Sequence, residues 1–320
     1  MNPQWFNPLF DEIKKEGFPL YGIVDIDAAQ SLYSEHFHHY QKWIEKGHAG
    51  EMRYLLRGLE RRKDPRNVFG NAQSVLSVAL PYSKTPHGED SVESGVKYAR
   101  YLRGRDYHDE MPERLERALQ KFLETQNEEF RARFEYKICV DTSAILERTW
   151  ASLSGLGWIG KNTLLIHPKY GSYLLLGEIL ISEKSGEAPK LHSNFCGSCT
   201  RCLTACPTSA LQERELNSTR CISYWTLEKR GELNLSESDR SLIGNWVAGC
   251  DICQEVCPFN NKAKELVSSD QPAEWSVLER ETIEEYKLRT SESALNRVKP
   301  EQFKRNLALI KSAQLKNLKP

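Results

Sequence analysis

The sequence contains no apolar run approaching the ~20 residues that a membrane span requires. Its N-terminus, with Trp5 and Phe6 among polar residues, shows neither a charged leader nor an apolar segment behind one. No membrane association is expected, and the cytoplasm is the expected location. No charge of one sign dominates either, since 44 Lys and Arg face 44 Asp and Glu. No global field advertises a polyanionic partner, and any nucleic-acid contact has to come from local patches. A complete P-loop sequence is also missing, and a nucleotide cradle is not expected. Cysteine is nearly absent outside one segment: of nine, only Cys139 lies outside 196–257.

Within that segment the spacing is specific. Cys196, Cys199, Cys202 and Cys206 read C-x-x-C-x-x-C-x-x-x-C before Pro207; Cys250, Cys253 and Cys257 read C-x-x-C-x-x-x-C before Pro258; Cys221 lies between. The first run is the bacterial ferredoxin pattern, in which three thiolates hold one cubane and the fourth crosses to another. Two 4Fe–4S clusters take about eight thiolates, one per iron, and the segment supplies them. Crossed ligation assigns Cys196, Cys199, Cys202 and Cys257 to one cluster and Cys206, Cys221, Cys250 and Cys253 to the other. Cys221 replaces the first member of the second run, a departure from ordinary two-run ferredoxins. Structural zinc favours paired C-x-x-C units with His and leaves the two C-x-x-x-C-P ends unexplained. Disulfides do not suit a reducing cytoplasm.

The chain length fits two domains, or one with an insertion. Residues 20–26 and 74–82 read as buried strands, with near-helical apolar spacing over 36–59 between them. Residues 109–129 read as a charged helix opened by Pro112, 134–140 as an alternating strand, and 163–166 and 173–181 as two more. The fold class is therefore α+β, with a mixed α/β N-terminal domain.

Several residues in this region stand out. Asp141 follows the 134–140 strand, where it either faces a ligand crevice or acts as helix N-cap, with Thr142 or Ser143 as rival caps. Cys139 reads as a buried, inert thiol. Residues 154–163 place glycines around Trp158, Lys161 and Asn162, either approaching a ligand closely or closing a tight loop with Trp158 in the core. Residues 97–108 gather tyrosines and arginines around Gly104, either at a ligand or on a solvated basic strand edge. Residues 53–66 hold six Arg or Lys against Glu60 and Asp64, the composition of a solvated helix face.

Read together, VDTSAILERTWA (140–151), GLGWIGKNTLLI (155–166), the cysteine run 196–206, RCISYWTLEKRG (220–231) and GCDICQEVCPFN (249–260) resemble epoxyqueuosine reductase. The resemblance implies a cobalamin-binding, catalytic α/β domain (1–185), a ferredoxin-like domain with two 4Fe–4S clusters (186–264) and a helical tail with possible tRNA contact (265–320). It implies reduction of the epoxide of epoxyqueuosine, at the wobble position of tRNA, to an alkene. A low-potential electron donor and a monomeric enzyme go with it. Asp141 matches the acidic residue proposed to protonate the substrate oxygen. Tyr98, Arg105, Asp106, Tyr107 and His108, with Gly157, Trp158, Gly160, Lys161 and Asn162, match segments that line the corrin. Tyr224 and Thr226 would lie between a cluster and the corrin. The family's ligation is consistent with the thiolate assignment above, including Cys221.

The chain ends at Pro320, where many members continue into helical repeats, and from 297 onward seven Lys or Arg stand against one acidic residue. Such an end would hold phosphate through salt-sensitive contacts or serve as a flexible solubilising tail. No D-x-H-x-x-G occurs, because Met111 takes the glycine position, and a protein histidine replacing the lower axial base is not expected. Alternative readings are another corrinoid and iron–sulfur reductase, such as a reductive dehalogenase, and a ferredoxin-type electron carrier with 1–185 as docking module.

Overall fold

The computed structural model describes residues 5–82, 96–261 and 275–317. Four strands, β1 (Leu20–Asp25), β2 (Ser74–Pro81), β3 (Tyr136–Cys139) and β4 (Leu174–Ile181), form an antiparallel sheet in the order β1-β2-β4-β3. Helices α1 (Phe6–Lys15) and α3 (Tyr107–Glu124) cover one face, where Leu9, Ile13, Met111, Leu115 and Phe122 pack on Leu76, Val78 and Ile179. Helices α2 (Ile26–Glu45) and α4 (Glu147–Leu153) cover the other, with Tyr33 stacked on Trp150 above Val24, Val75 and Leu180. The mixed α/β reading of the N-terminal region is the observed architecture, and its strands lie within a few residues of those expected.

Helix boundaries differ from expectation for local reasons. The helix expected over 36–59 starts at Ile26 and stops at Glu45, because Gly47 and Gly50, both at positive φ, turn the chain. The basic run then forms two short helices, Arg53–Arg57 and Leu59–Lys63. Helix α3 starts at Tyr107 rather than near Pro112, because the Asp106 carboxylate caps it by accepting the His108 N–H at 3.0 Å. Asp141 is not an N-cap, and neither Thr142 nor Ser143 is one: α4 begins only at Glu147, with Leu146 at its N-cap position.

A second hydrophobic core lies beside the sheet domain, and it is not contiguous in sequence. Val96, Tyr98, Ala99 and Leu102 join Ile222, Trp225, Trp246, Val247, Leu278, Tyr286, Phe303, Leu307 and Ile310. The short strand Lys97–Tyr98 pairs in parallel with Trp246–Ala248. Of the two readings of 97–108, the solvated basic edge fails for Tyr98 to Leu102: Arg100 is 6% exposed and turns inward against Asp251, Glu255 and Tyr173. The boundary expected between 264 and 265 lies outside the described residues.

The C-terminal helices are integral to this core rather than a free end. Helix α5 (Ile283–Thr290) opens with a Thr282/Glu285 capping box, and α6 (Pro300–Asn317) buries Phe303, Leu307 and Ile310. On α6, the Asn306 amide donates to the Thr226 and Val247 carbonyls at 2.9 and 2.8 Å, and Arg305 donates to Trp225, Lys229 and Gly231 carbonyls. Asn306 is 2% exposed, so Asn306→Leu removes the side-chain donor to the Val247 carbonyl and leaves the Thr226 carbonyl to Gln302. It is expected to lower the unfolding free energy by about 1–3 kcal/mol, measured by chemical denaturation, whereas an undocked α6 would leave it unchanged.

Candidate functional site

Strand β3 ends at Cys139, and Asp141 follows with φ 55°, a left-handed conformation that non-glycine residues seldom adopt. The turn is held from behind, where Glu147 at the start of α4 accepts the Asp141 backbone N–H at 2.5 Å. It lifts the Asp141 carboxylate out of the sheet, with its side chain 56% exposed. From the start of α3, His108 Nε2 lies 3.0 Å from Asp141 Oδ2, and His108 Nδ1 lies 2.6 Å from Asp106 Oδ1. Arg297 Nε donates to the other Asp106 oxygen at 3.1 Å. The row Asp141–His108–Asp106–Arg297 thus joins the sheet domain to the C-terminal helices.

The electrostatics follow from this crowding. Burial works against a charged His108, but hydrogen bonds and charge from Asp141 and Asp106 outweigh it and hold the pKa above 6.5. Burial opposes ionised Asp106 too, yet His108 and Arg297 hold it below the usual carboxylate value. Glu147 is pushed up to about 7 by burial and by Asp141. The Tyr107 ring stacks on His108 with centroids 4.0 Å apart. Burial, reinforced by the Asp141 charge, pushes up the hydroxyl pKa of Tyr101 and of Tyr107. Tyr54 and Glu228 also feel the Asp141 charge.

Of the expected site residues, Asp106, Tyr107, His108 and Asp141 are brought together. Tyr98 and Arg105 do not join them. Tyr98 is buried beside Phe303 in the second core, and Arg105 makes a bidentate surface pair with Glu113. Tyr54, Tyr101, Glu147, Glu228 and Arg297 were missed. The signal for Glu147 was its place in the ER of VDTSAILER; Arg297 and Tyr54 carry no local signal, because only tertiary folding brings them near.

The 154–163 loop serves a different neighbourhood. Gly155, Gly157 and Gly160 are spaced G-x-G-x-x-G, but they leave a helix and enter the hairpin Trp158–Ile159/Leu165–Ile166. A dinucleotide cradle requires the reverse, strand into helix, so the context and not the spacing excludes one. Gly157 has φ 156°, and a Cβ there would lie 2.2 Å from the Ile166 carbonyl oxygen; one at Gly160 would lie 2.4 Å from Ile166 Cδ1. Trp158, 3% exposed, packs on Phe259 and Phe195, with its Nε1 3.5 Å from Cys196 Sγ. Lys161 pairs with Glu213 at 3.6 Å. The buried Asn162 Nδ2 has no acceptor among the described residues.

All nine cysteines are free thiols. The cysteine helices Arg201–Ala205 and Ile252–Glu255 pack on each other. Burial raises the thiols of Cys202 and Cys257, and the neighbouring thiols acting on them are Cys196 with Cys199 and Cys196 with Cys202 respectively. Burial raises Cys221, Cys250 and Cys253 as well, and the thiols acting on them are Cys206 for Cys221, Cys221 and Cys206 for Cys250, and Cys250, Cys221 and Cys202 for Cys253. Among the described residues no group of three or more Cys, His, Asp or Glu converges on a single-ion site.

Beside Cys221, the π-helix Tyr224–Glu228 fixes both expected residues: the Tyr224 hydroxyl accepts the Glu51 N–H at 2.8 Å, and Thr226 Oγ1 accepts the Gly249 N–H at 3.0 Å.

Residues 195–260 match the family described as a 4Fe-4S double cluster binding domain, and residues 62–142 match Epoxyqueuosine reductase QueG, DUF1730. Epoxyqueuosine reductase of Prochlorococcus marinus is 36% identical, across 92% of this chain and 93% of that one. The chain belongs to the epoxyqueuosine reductase family. It is an oxidoreductase with a double 4Fe–4S domain beside an α/β domain. An epoxyqueuosine reductase solved with a tRNA-Tyr epoxyqueuosine-modified stem loop is 28% identical, with TM-score 0.79 over 97% of this chain and 81% of that one. The Bacillus subtilis epoxyqueuosine reductase, solved with a catalytic aspartate loop swung out of its active site, is 28% identical, with TM-score 0.78 over 97% and 82%. No described helix is long and apolar enough to cross a membrane.

His108 becomes charged more readily in the folded chain than unfolded, so its contribution to stability is complete below about pH 6.5. That contribution is lost as the pH rises through the elevated folded value. His108→Gln is therefore expected to lower Tm more at about pH 6 than at about pH 9, with the ring pKa read by NMR. An equal loss at both values would remove the ion-pair account.

Proposed function

We propose that this epoxyqueuosine reductase acts on epoxyqueuosine in tRNA, with cobalamin and two 4Fe–4S clusters, and that Asp141 is its proton donor. The observation that carries the proposal is the exposed, backbone-strained Asp141 held against His108 on a loop braced by Glu147. A general acid must reach its substrate and be resupplied with a proton. The exposed carboxylate meets the first need, and the hydrogen bond to His108 orients it.

The thiols fit two cubanes. Cys196, Cys199, Cys202 and Cys257 would hold one, and Cys206, Cys221, Cys250 and Cys253 the other, as crossed ligation of the two runs requires. The surroundings of Asp141 suit a corrin. Tyr101, Tyr107 and Tyr54 all feel its charge, and Tyr224 and Thr226 follow Cys221 closely in the chain. Both ring nitrogens of His108 are engaged by carboxylates, which would suit it to orienting Asp141 rather than to holding a metal. When bound, cobalamin supplies a low-valent, electron-rich metal centre and the clusters supply low-potential electrons from an external donor.

The chain's own part is protonation and positioning. Asp141 delivers a proton to the epoxide oxygen as the ring opens, His108 and Asp106 orient the carboxylate, and Arg297 anchors Asp106. For the tRNA, Tyr54 and Leu56 are 51% and 48% exposed near Asp141, flanked by exposed Arg53 and Arg57. An exposed aromatic among arginines is suited to a base and its phosphates. The electron-carrier alternative leaves Asp141 and its brace unexplained.

Asp141→Asn is expected to cut turnover of epoxyqueuosine tRNA by about 100-fold or more, with iron content and tRNA affinity retained. Unchanged turnover would remove Asp141 from the mechanism. Anaerobically reconstituted protein should hold about eight irons per chain, falling to about four in Cys221→Ala and staying at about eight in Cys139→Ala. A Cys221→Ala variant that keeps all its iron would overturn the ligand assignment.

A further inference from the structure

On the sheet face covered by α2 and α4, strand register creates one polar row among apolar ones. Gly22 pairs with Ser77, Ser77 with Glu178, and Glu178 with Cys139, crossing all four strands from β1 to β3. Directly opposed residues share a face, so these side chains are neighbours. The flanking rows on that face are Val24, Val75 and Leu180 on one side and Leu20, Ala79 and Leu176 on the other. A glutamate at 0% exposure in such a row, with neither carboxyl oxygen hydrogen-bonded among the described residues, is the most costly group in the sheet. Packing alone gives no reason for it.

Both ends of the row lead somewhere. Helix α4 lies across it, with Glu147 at one end and Ser154 just beyond the other. At the β3 end, Glu147 braces the Asp141 loop. At the β1 end, Ser154 Oγ lies 3.3 Å from Ser77 Oγ, and Ser154 lines an open cavity of about 390 Å³ with Gly22, Tyr21, Lys190 and His192. Strand spacing makes the row about 14 Å wide. It connects solvent on the far side of the sheet with the back of the catalytic loop.

We infer that Ser154, Ser77, Glu178 and Glu147 form a proton inlet that recharges Asp141 from the side of the sheet away from the substrate. This rests on the proton-donor reading of Asp141. Converting an epoxide to an alkene consumes two electrons and two protons and releases the oxygen as water. Asp141 carries one proton at a time, and a substrate docked on its exposed carboxylate would keep water from returning one there. In the inlet, the Glu147 carboxyl, which holds the Asp141 N–H, gives its proton to the Asp141 carboxylate and is refilled by the Glu178 carboxyl, whose oxygens, bonded to neither neighbour at rest, swing between Ser77 and Glu147. Glu178 is refilled from the cavity through the Ser77 and Ser154 hydroxyls.

The groups facing Glu178 are Cys139, Ser77 and Glu147; those facing Glu147 are Asp141, His108, Arg148 and Glu178. No cation faces Glu178 directly, and burial together with the Glu147 charge pushes its pKa well up, which favours its protonated form.

The test has two arms. In the first, difference infrared spectroscopy of the wild-type protein without tRNA at neutral pH should show a protonated-carboxyl C=O band that shifts in D2O and is lost in Glu178→Gln. In the second, Ser77→Ala and Glu178→Gln should each slow multiple turnover on epoxyqueuosine tRNA by about tenfold or more, with KM held and the solvent isotope effect raised. Absence of the band, or wild-type turnover in both variants, would overturn the inlet. If the wild-type chain reduced no epoxide, the activity would be refuted, and the band alone would decide whether Glu178 stores a proton.

Discussion

The arrangement depends on a buried carboxylate inside the second cysteine run. Asp251, 1% exposed, lies between Cys250 and Cys253; it accepts the Arg100 backbone N–H at 2.7 Å and the Gln254 amide at 2.9 Å. The same Gln254 reaches the Tyr82 hydroxyl, and Asn260 exchanges hydrogen bonds with Ser172. Arg100 extends the seam to Glu255 and the Tyr173 hydroxyl. Every polar group in the seam is satisfied by a partner from the other domain or from the cysteine turns, which makes such a network rigid instead of costly. The cysteine turns therefore cannot shift without moving the segment that leads into His108. Distance between the iron-binding thiols and Asp141 is set here.

Around Asp141 the opposite condition holds. Asp106, Asp141, Glu147, Glu178 and Glu228 crowd into a region answered mainly by His108, Arg297 and Arg148. Like charges at close range cannot all ionise, so the site carries protons as part of its structure. Sites of this kind give up stability for chemistry, and the surplus comes from the two cores on either side. The left-handed backbone at Asp141 belongs to the same trade.

The cysteine spacing was legible because cluster ligation fixes residue type and interval within short turns, and the strands were legible because β-branched runs bounded by Gly and Pro state their own ends. Asp141 could be found by its place after β3 and by resemblance. What could not be read was long-range. Tyr98 and Arg105 share a segment with His108, but a turn around Gly104 sends their side chains into the second core and onto the surface. Trp158 was open between ligand and core, and it went to the seam beside Cys196 because the glycines beside it close a hairpin. Arg297 lies far along the chain from Asp106, and nothing local marks it. Glu178 sits in an apolar run whose pattern predicts only a buried strand.

The parallel pairing of Lys97–Tyr98 with Trp246–Ala248, sealed by α6, bears on how the enzyme is made. A chain leaving the ribosome presents the first of these strands long before the second exists, and the helix that covers both comes last. Contacts so distant in sequence form slowly, leaving an interval in which the cysteine turns are exposed and not yet clamped.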